Sequence, residues 1–196
     1  EEGAFAFRHA DGRESFLPAL KLGESHFDRK EQLFWTLDAQ GYQLTDIRGL
    51  QYRFDGPENR SGYRMVSGIS TKDGFRLRFE YASGGRLAGI ISSRGEFLKV
   101  ETDESGRVLC VSVNQDGEEV KLVRYRYDDR GDMVETLDAL DVSKHFVYSG
   151  GHLLVQLINQ GGMSFHWEYE GKGENARCVH TWGDGGVMEY FIRYGK

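Results

Sequence analysis

Proline, cysteine and long apolar runs are scarce in this chain of 196 residues, which has two Pro and two Cys. Two cysteines are too few for a disulfide framework, so a bond between Cys110 and Cys178 is disfavoured. No apolar stretch approaches the ~20 residues that a membrane-spanning helix needs. A basic segment followed by an apolar leader is also missing, so the sequence predicts no Sec signal peptide.

Positive charge is also in short supply. The sequence has 25 Lys and Arg against 31 Asp and Glu, which gives a formal net charge of −6. Proteins that bind nucleic acid carry clustered Lys and Arg to contact the phosphates, and anionic membrane surfaces attract polybasic segments. We therefore expect neither a nucleic acid nor a membrane among the partners of this protein.

Helix signals are nearly absent, and strand patterns take their place. The best helical candidate, residues 25–35, is short and runs into an extended segment. In residues 75–81, apolar side chains alternate with charged ones, and residues 163–169 show the same period of two. Glycine, with 26 residues, supplies tight turns between such segments. The sequence predicts an all-β fold of successive antiparallel hairpins.

Tyrosines, with one threonine among them, recur at intervals of 21 or 25 residues. The positions are Tyr81, Thr102, Tyr127, Tyr148, Tyr169 and Tyr194. A period near 21 suits a repeated unit of two short strands and two turns. One such hairpin is marginally stable alone, and stacking of neighbours completes its core.

Each part of the repeat has a mechanical interpretation. The tyrosine ring fills the apolar face while its hydroxyl reaches backbone or water. Asp128 is expected to accept hydrogen bonds from backbone N–H groups two residues on, and Gly131 to supply the positive φ that ends the turn. The predicted structural residues are Tyr81, Gly85, Gly106, Tyr127, Asp128, Gly131, Tyr148, Gly151, Tyr169 and Tyr194.

Several strings of the sequence resemble the Rhs/YD repeats of bacterial proteins. They are RFEYASGGRL at 78–87, YRYDDRGDM at 125–133, FVYSGGHL at 146–153 and WEYEGKG at 167–173. Residues 7–20 and 38–56 resemble the segment that commonly precedes such repeats, so the resemblance covers nearly the whole chain. Among these repeats only Tyr127 and Asp128 keep the Tyr-Asp pair, which is typical of degenerate scaffold repeats.

The resemblance implies a fold and a role. Rhs repeats form a long sheet that spirals into a hollow shell. Residues 71–196 would then form a curved repeat sheet, part of a β-cocoon, after an N-terminal β region over residues 1–70. In bacterial polymorphic toxins the shell encloses a C-terminal toxin until delivery, often by type VI secretion, in competition between bacteria. The chain would be a non-catalytic wall segment, with the rest of the shell and the enclosed toxin as partners.

The same resemblance implies a location. The protein would be made in the cytoplasm of the producing bacterium and then exported by a type VI-like system. The family closes its shell with a self-cleavage segment that contains an Asp-Pro pair, whereas Pro18 and Pro57 follow Leu17 and Gly56 here. We therefore expect this chain to be an N-terminal part of the shell wall.

The polar residues that could form a chemical site have simpler explanations. His166 with Glu168, and Cys178 with His180, have the spacing of a strand-borne metal site, but no familiar zinc spacing is present. The carboxylates lie mostly in turn strings, where they close turns, and no G-x-S-x-G elbow occurs. We expect no metal, no cofactor and no enzymatic activity.

Two alternatives to a wall segment stay open. The aromatic residues, with Trp167 and Trp182 among them, could form the sugar-binding platform of a carbohydrate-binding or adhesion module built on the same repeats. An enzyme is the other hypothesis, and turnover that disappears with a single carboxylate would support it. A repeat sheet with open edge strands would also pair with other chains, so edge-to-edge self-association is expected.

Overall fold

Antiparallel strands make up almost all regular structure in the computed structural model, which describes residues 4–9, 12–59 and 61–195. The first ten strands are β1 Ala4–Arg8, β2 Glu14–Pro18, β3 Ser25–Asp28, β4 Leu33–Asp38, β5 Gly41–Asp46, β6 Gln51–Phe54, β7 Gly68–Ser70, β8 Arg76–Ala82, β9 Arg86–Ser92 and β10 Phe97–Thr102. The others are β11 Val108–Gln115, β12 Glu118–Tyr127, β13 Met133–Asp138, β14 Ser143–Tyr148, β15 Leu154–Ile158, β16 Ser164–Glu170, β17 Arg177–Gly183 and β18 Tyr190–Phe191. Short 3-10 turns lie at Ser83–Gly85, Gly173–Asn175 and Asp184–Gly186.

The chain divides into two compact units, residues 1–107 and 108–196. In the first unit, β1 and β2 form a separate hairpin, and β3–β10 pair in sequence order as an antiparallel sheet. In the second unit, β11–β18 also pair in sequence order. Both units are therefore successions of hairpins, and the all-β prediction is confirmed. The predicted division into residues 1–70 and 71–196 rests on the regularity of the repeats and stays a prediction.

The hydrophobic core of the first unit lies between the β1–β2 hairpin and β4–β5. Leu17 from the hairpin packs with Leu33, Trp35 and Leu44, and none of the four is more than 7% exposed. The indole of Trp35 stacks on the ring of Tyr42 with centroids 4.8 Å apart. Buried residues alternate with exposed ones along β2, because successive side chains of a strand point to opposite faces. The hairpin thus covers one face of these strands.

The second unit buries fewer side chains. Cys110 and Ser112 on β11 and Asp132 in a turn are buried, while most other strand residues are half-buried or exposed. Both Cys110 and Cys178 are free thiols. Within the described ranges, no helix is long and apolar enough to cross a membrane. The stability of this unit therefore depends strongly on cross-strand pairs and turns.

Two stretches illustrate how local sequence decides the strands. Residues 25–35, the best helical candidate, form β3, a turn and β4. The Asp28 carboxylate accepts hydrogen bonds of 2.9 Å from the backbone N–H groups of Lys30 and Glu31, which closes that turn. In β8 the arginines are exposed and the alternating apolar residues are half-buried, so the pattern of residues 75–81 gives one wet and one packed face.

Candidate functional site

The repeat tyrosines share one position in the sheet. Tyr81, Tyr127, Tyr148 and Tyr169 lie near the ends of β8, β12, β14 and β16, and the pairing register shifts immediately before each of them. In every case the partner strand carries one extra residue at the shift, as in a β-bulge. A bulge bends the strand and re-aims nearby side chains. These four repeats therefore carry the same local distortion at their tyrosines.

Four tyrosine hydroxyls donate hydrogen bonds to backbone carbonyl groups 15 to 19 residues earlier in the chain. The pairs are Tyr81 with Val66 at 2.5 Å, Tyr127 with Val108 at 2.9 Å, Tyr169 with Leu154 at 2.8 Å, and Tyr194 with Cys178 at 2.9 Å. Val108 and Leu154 begin β11 and β15, directly after the preceding turn on the same side of the sheet. Tyr127 and Tyr169 therefore tie the end of their own strand to the turn one repeat earlier.

Burial raises the pKa of three of the repeat tyrosines. It raises the pKa of Tyr81 to about 12 and also raises the pKa of Tyr169. The pKa of Tyr148 is raised by burial first and then by the negative charges of Asp132 and Asp128. Because an ordinary tyrosine pKa is already near 10, these groups act as hydrogen-bond donors at neutral pH.

Asp128 closes the turn that follows Tyr127. Its carboxylate oxygen Oδ1 accepts hydrogen bonds from the backbone N–H groups of Arg130 at 3.0 Å and Asp132 at 2.9 Å. The N–H of Gly131 donates to the carbonyl oxygen of Asp128 at 3.0 Å, and φ at Gly131 is 88°. Burial tends to raise the pKa of Asp128, but the hydrogen bonds outweigh it and hold the pKa below its ordinary value.

The same five-residue turn recurs at both ends of the hairpins. Its first residue is Asp, Asn, Ser or Thr, its fourth has positive φ, and its first and fifth residues are joined by a backbone hydrogen bond. Fully described examples span residues 46–50, 71–75, 92–96, 103–107, 128–132, 138–142, 149–153 and 159–163. Sequence reasoning assigned a turn-closing role to Asp128 and to the other carboxylates of the turn strings, but not to the Asn, Ser and Thr residues. A polar residue three positions before a glycine is the signal that finds most of the others.

The predicted glycines lie at different places in their turns. Gly106 and Gly131 occupy the fourth position, with φ of 86° and 88°. In the turn over residues 149–153, the fourth position belongs to His152, with φ of 61°, and not to Gly151. Positive φ is uncommon outside glycine, although Asn, Asp and His tolerate it better than most residues. The loop therefore places an imidazole where the other predicted turns have glycine.

Neighbouring turns also contact one another in the first unit. Gly85 follows Tyr81 in a 3-10 turn, and a Cβ atom at this glycine would lie 2.9 Å from the Cα of Asn59. Only glycine permits that close approach. One repeat further on, Nη1 of Arg86 donates to the carbonyl oxygen of Asp103 at 3.4 Å.

In the second unit, two adjacent turns are joined by polar side chains. Nη1 of Arg130 donates to the carbonyl oxygen of Ser149 at 3.1 Å. Nδ1 of His152 lies 2.7 Å from Oδ1 of Asp132, whose side chain is only 8% exposed. Arg130 also forms an ion pair with Asp132 at 3.2 Å. The links among Asp132, His152 and Arg130 were not predicted from the sequence, because they depend on the spacing of the turns in the folded sheet.

The polar residues considered as a metal site pair in other ways. His166 lies 3.7 Å from the Asp184 carboxylate, and His180 lies 3.3 Å from that of Glu168. The Cys178 thiol contacts the carbonyl oxygen of His180 at 3.5 Å. Among residues 4–9, 12–59 and 61–195, no group of three or more His, Cys, Asp or Glu side chains is arranged to hold a metal ion.

The two tryptophans considered as a sugar platform do not share a face. Trp182 pairs with His166 across β16 and β17, so their side chains lie on the same face. The indole also stacks on both His166 and His180, with ring centroids 5.1 Å and 4.3 Å away. Trp167 is the residue next to His166 and therefore points to the opposite face. A single flat platform made of both indoles is incompatible with this arrangement.

Comparisons with known proteins find one curated relative that is named a toxin. No family model matches the chain. Double-stranded DNA deaminase toxin A of Burkholderia cenocepacia strain H111 is 29% identical over 199 residues, which cover 97% of this chain and 14% of that protein. The chain thus spans about one seventh of the length of this curated relative.

Two solved structures share the fold. The TcdB2-TccC3-TEV crystal structure matches with a TM-score of 0.56 and 14% identity, over 97% of this chain and 12% of the other. The Photorhabdus luminescens Tc holotoxin pore matches with a TM-score of 0.53 and 13% identity, over 92% of this chain and 11% of the other. At such low identity these structures establish the all-β fold alone. The chain has a toxin among its relatives and the fold of a segment found in toxin complexes.

Proposed function

We propose that this chain is a non-catalytic wall segment of an Rhs-type toxin shell, which encloses a C-terminal toxin and helps to deliver it. The wall would act by sequestration, since a continuous sheet limits access to whatever lies behind it. The partners would be the remainder of the shell and the enclosed toxin. The producing bacterium would hold the protein in its cytoplasm and export it through a type VI-like system against competing bacteria.

The observation that carries the proposal is the repeated link from a tyrosine hydroxyl to the strand that follows the previous turn. Tyr127 and Tyr169 make it in the second unit and Tyr81 makes it in the first. Links of this kind hold successive hairpins in register, which a wall needs along its whole length. A catalytic or ligand-binding site would need a particular set of side chains in a few repeats, and not the same hydrogen bond along the whole chain.

The surroundings of the carboxylates also favour a structural role. The carboxylates of Asp128 and Asp138 accept hydrogen bonds from backbone N–H groups of their own turns. Hydrogen bonding holds the pKa of both groups below its ordinary value. A general acid needs the opposite, a carboxyl whose pKa is raised towards neutrality. These side chains therefore suit turns better than acid–base catalysis.

The relatives support the same proposal. The curated relative is named as a toxin, and this chain aligns to about one seventh of it. A short stretch of a large toxin is compatible with a wall segment whose passenger lies elsewhere in the polypeptide. The shell, the enclosed toxin and the route of export are what the resemblance of the tyrosine repeats to Rhs/YD repeats implies.

The experiment is protease protection of the longer polypeptide that contains this chain. The full reading frame is produced and treated with a non-specific protease, and survival of the region C-terminal to the repeats is followed by mass spectrometry. We expect that region to survive much longer than the same region produced alone, and we expect electron microscopy to reveal a closed particle with density inside. Equal digestion rates, or an open sheet, would reject the shell.

A variant and a glycan screen make the test specific. Tyr127→Ala with Tyr148→Ala should loosen the wall and expose the passenger to protease, whereas Leu140→Ser, in an exposed turn, should leave protection intact. The adhesion alternative predicts that the chain binds a defined sugar on a glycan array and that Trp167→Ala abolishes this binding. Such a result, without protease protection, would favour the adhesion module.

A further inference from the structure

Four aromatic rings form a continuous stack over the last three strands. The imidazole of His166 on β16 stacks on the indole of Trp182 on β17, with centroids 5.1 Å apart. Trp182 stacks on His180 at 4.3 Å, and His180 stacks on Phe191 of β18 at 4.1 Å, with an interplanar angle of only 6°. His180 is therefore the ring through which β18 joins the stack.

Both ring nitrogens of His180 face carboxylates. Nδ1 lies 3.3 Å from Oε2 of Glu168 on β16, and Nε2 lies 3.0 Å from Oε1 of Glu189, just before β18. A neutral imidazole has one N–H donor, whereas a protonated imidazole has two. Glu168 and Glu189 can both accept a hydrogen bond from the ring only when the ring is protonated.

We propose that His180 is a proton-operated latch, which holds β18 on β17 when the imidazole is protonated and loosens when it is neutral. In the neutral state one carboxylate loses its donor, and Glu168 and Glu189 then face each other across an uncharged ring. Glu189 directly precedes β18. Loss of a hydrogen bond at His180 therefore weakens the connection that runs from Glu168 on β16 through His180 to β18. The latch is independent of the proposed shell function, because it rests on this cluster alone.

Among the residues described by the structure, the other charged and titratable groups beside His180 do not bridge β18 to β16. From β16, His166 faces the ring through Trp182 and has its own partner in Asp184, at 3.7 Å. On β17 itself, the Cys178 thiol contacts the carbonyl oxygen of His180 and not its ring. The imidazole of His180 thus links a carboxylate on β16 to one just before β18.

The latch matters because β18 has few backbone hydrogen bonds to β17, with one more side-chain tie from the Tyr194 hydroxyl to the carbonyl oxygen of Cys178. It is two residues long, and its pairing with β17 joins Phe191 to His180 and Tyr190 to Thr181. One further backbone hydrogen bond runs from Ile192 N–H to Val179 at 2.8 Å. When β18 leaves, the edge of β17 exposes unpaired N–H and C=O groups, which are a template for another strand. Proton binding at His180 would thereby control whether this edge is closed or open to a new strand.

Hydrogen–deuterium exchange of the full 196-residue chain tests the latch. Protection of the amides over residues 190–192 is compared at about pH 5.5 and about pH 8, on either side of the ordinary histidine pKa, after correction for intrinsic exchange. We expect these amides to be about two- to fivefold better protected at the lower pH, the effect of a half-exposed ion pair. Equal protection factors at the two pH values would overturn the proposal.

Three variants assign the effect. His180→Gln keeps a polar side chain but cannot take up a proton, so the pH dependence should vanish. Glu189→Gln removes one carboxylate and should reduce it. His145→Gln, which removes an imidazole lying 3.7 Å from Glu135 on other strands, should leave it intact. If His180→Gln retains the full pH dependence while its circular dichroism is unchanged, the latch is rejected. If His180→Gln does not fold, Glu189→Gln decides, and an unaltered pH dependence there rejects the latch.

Discussion

The hydroxyl of Tyr169 donates a hydrogen bond of 2.8 Å to the carbonyl oxygen of Leu154. Leu154 is also the residue that lies opposite Tyr148 in the pairing of β14 with β15. One leucine therefore connects the tyrosines of two successive repeats, by its backbone to the later one and by its register to the earlier one. Coupling between nearest neighbours is what stabilises repeat proteins. Loss of one tyrosine should accordingly destabilise the neighbouring hairpin as well as its own.

Substitution of Tyr127 separates the contributions of its ring and its hydroxyl. Tyr127→Phe removes the 2.9 Å hydrogen bond to Val108 and should lower the free energy of unfolding by about 1 kcal/mol. Tyr127→Ala also removes a half-buried ring and should cost about 2–3 kcal/mol. Urea unfolding followed by tryptophan fluorescence measures both values. The control is Tyr125→Phe, two residues earlier on β12, which should stay within about 0.5 kcal/mol of the parent.

Two glycine substitutions distinguish the positions within the turn. Gly131 has φ of 88°, a region that a Cβ atom disfavours, so Gly131→Ala should destabilise the protein by about 1 kcal/mol. A Cβ atom at Gly151 would meet nothing closer than the Gly173 nitrogen, 4.0 Å away, and φ there is not positive. Gly151→Ala should be neutral or slightly stabilising. Equal thermal midpoints for the two variants would contradict this assignment of the turn.

The sequence predicts the repeat better than it predicts what joins the repeats. The alternation in β8 and the tyrosine interval depend on local periodicity, which is visible along one strand. The longer interval from Thr102 to Tyr127 has a simple cause, since β11 and β12 are eight and ten residues long. Strand length in a hairpin changes the interval without changing the unit.

The bulges and the links between turns could not be predicted in this way. The extra residue at each shift lies in the partner strand. Val134, the unpaired residue between the partners of Arg126 and Tyr127, is an ordinary strand residue with no distinctive signature. The contact of His152 with Asp132 joins residues 20 positions apart and depends on how closely two turns approach. The positive φ of His152 could not be predicted either, because the neighbouring Gly151 is the residue that the sequence pattern selects for a positive φ.

Alkaline pH should destabilise the first unit through Tyr81. Burial raises its pKa to about 12 in the folded protein, against about 10 in an unfolded chain. The folded value is the higher one, so the stabilisation is complete below pH 10 and is lost as pH rises from 10 towards 12. Unfolding experiments across this window should reveal a steeper loss of stability in the parent than in Tyr81→Phe. Parallel curves would mean that Tyr81 ionises as freely in the folded protein as in the unfolded one.

Acidic pH should act on the turn aspartates in the opposite sense. The N–H groups of Val142 and then Leu140 hold the pKa of Asp138 below its ordinary value of 3.8. Because the folded pKa is the lower one, the stabilisation is present above the unfolded pKa and is lost as pH falls through the folded value. Asp138→Asn should keep the turn, as Asn159 does at the next turn on that side, but should flatten the acid dependence below about pH 4.

The reciprocal change provides the control for the acid experiment. Asn159→Asp introduces a carboxylate where an amide oxygen now accepts backbone hydrogen bonds of 2.9 Å and 3.0 Å. This variant should gain acid sensitivity over the same range in which Asp138→Asn loses it. Thermal midpoints measured between about pH 2.5 and 6 test both changes together. Two variants with the same acid profile as the parent would exclude a contribution from these turn charges.

Self-association through the sheet edge is the last expectation. The strands β3 and β18 each pair on one side only, and β18 exposes Tyr190 at 61% and Phe191 at 74%. Open edges with apolar side chains pair with other chains, whereas lysine on an edge prevents it. Sedimentation velocity should reveal a weight-average coefficient that rises with concentration and falls back in Tyr190→Lys. Leu140→Lys, in a turn away from that edge and 83% exposed, should associate like the parent. A parent chain that stays monomeric at every concentration would remove the edge as a contact.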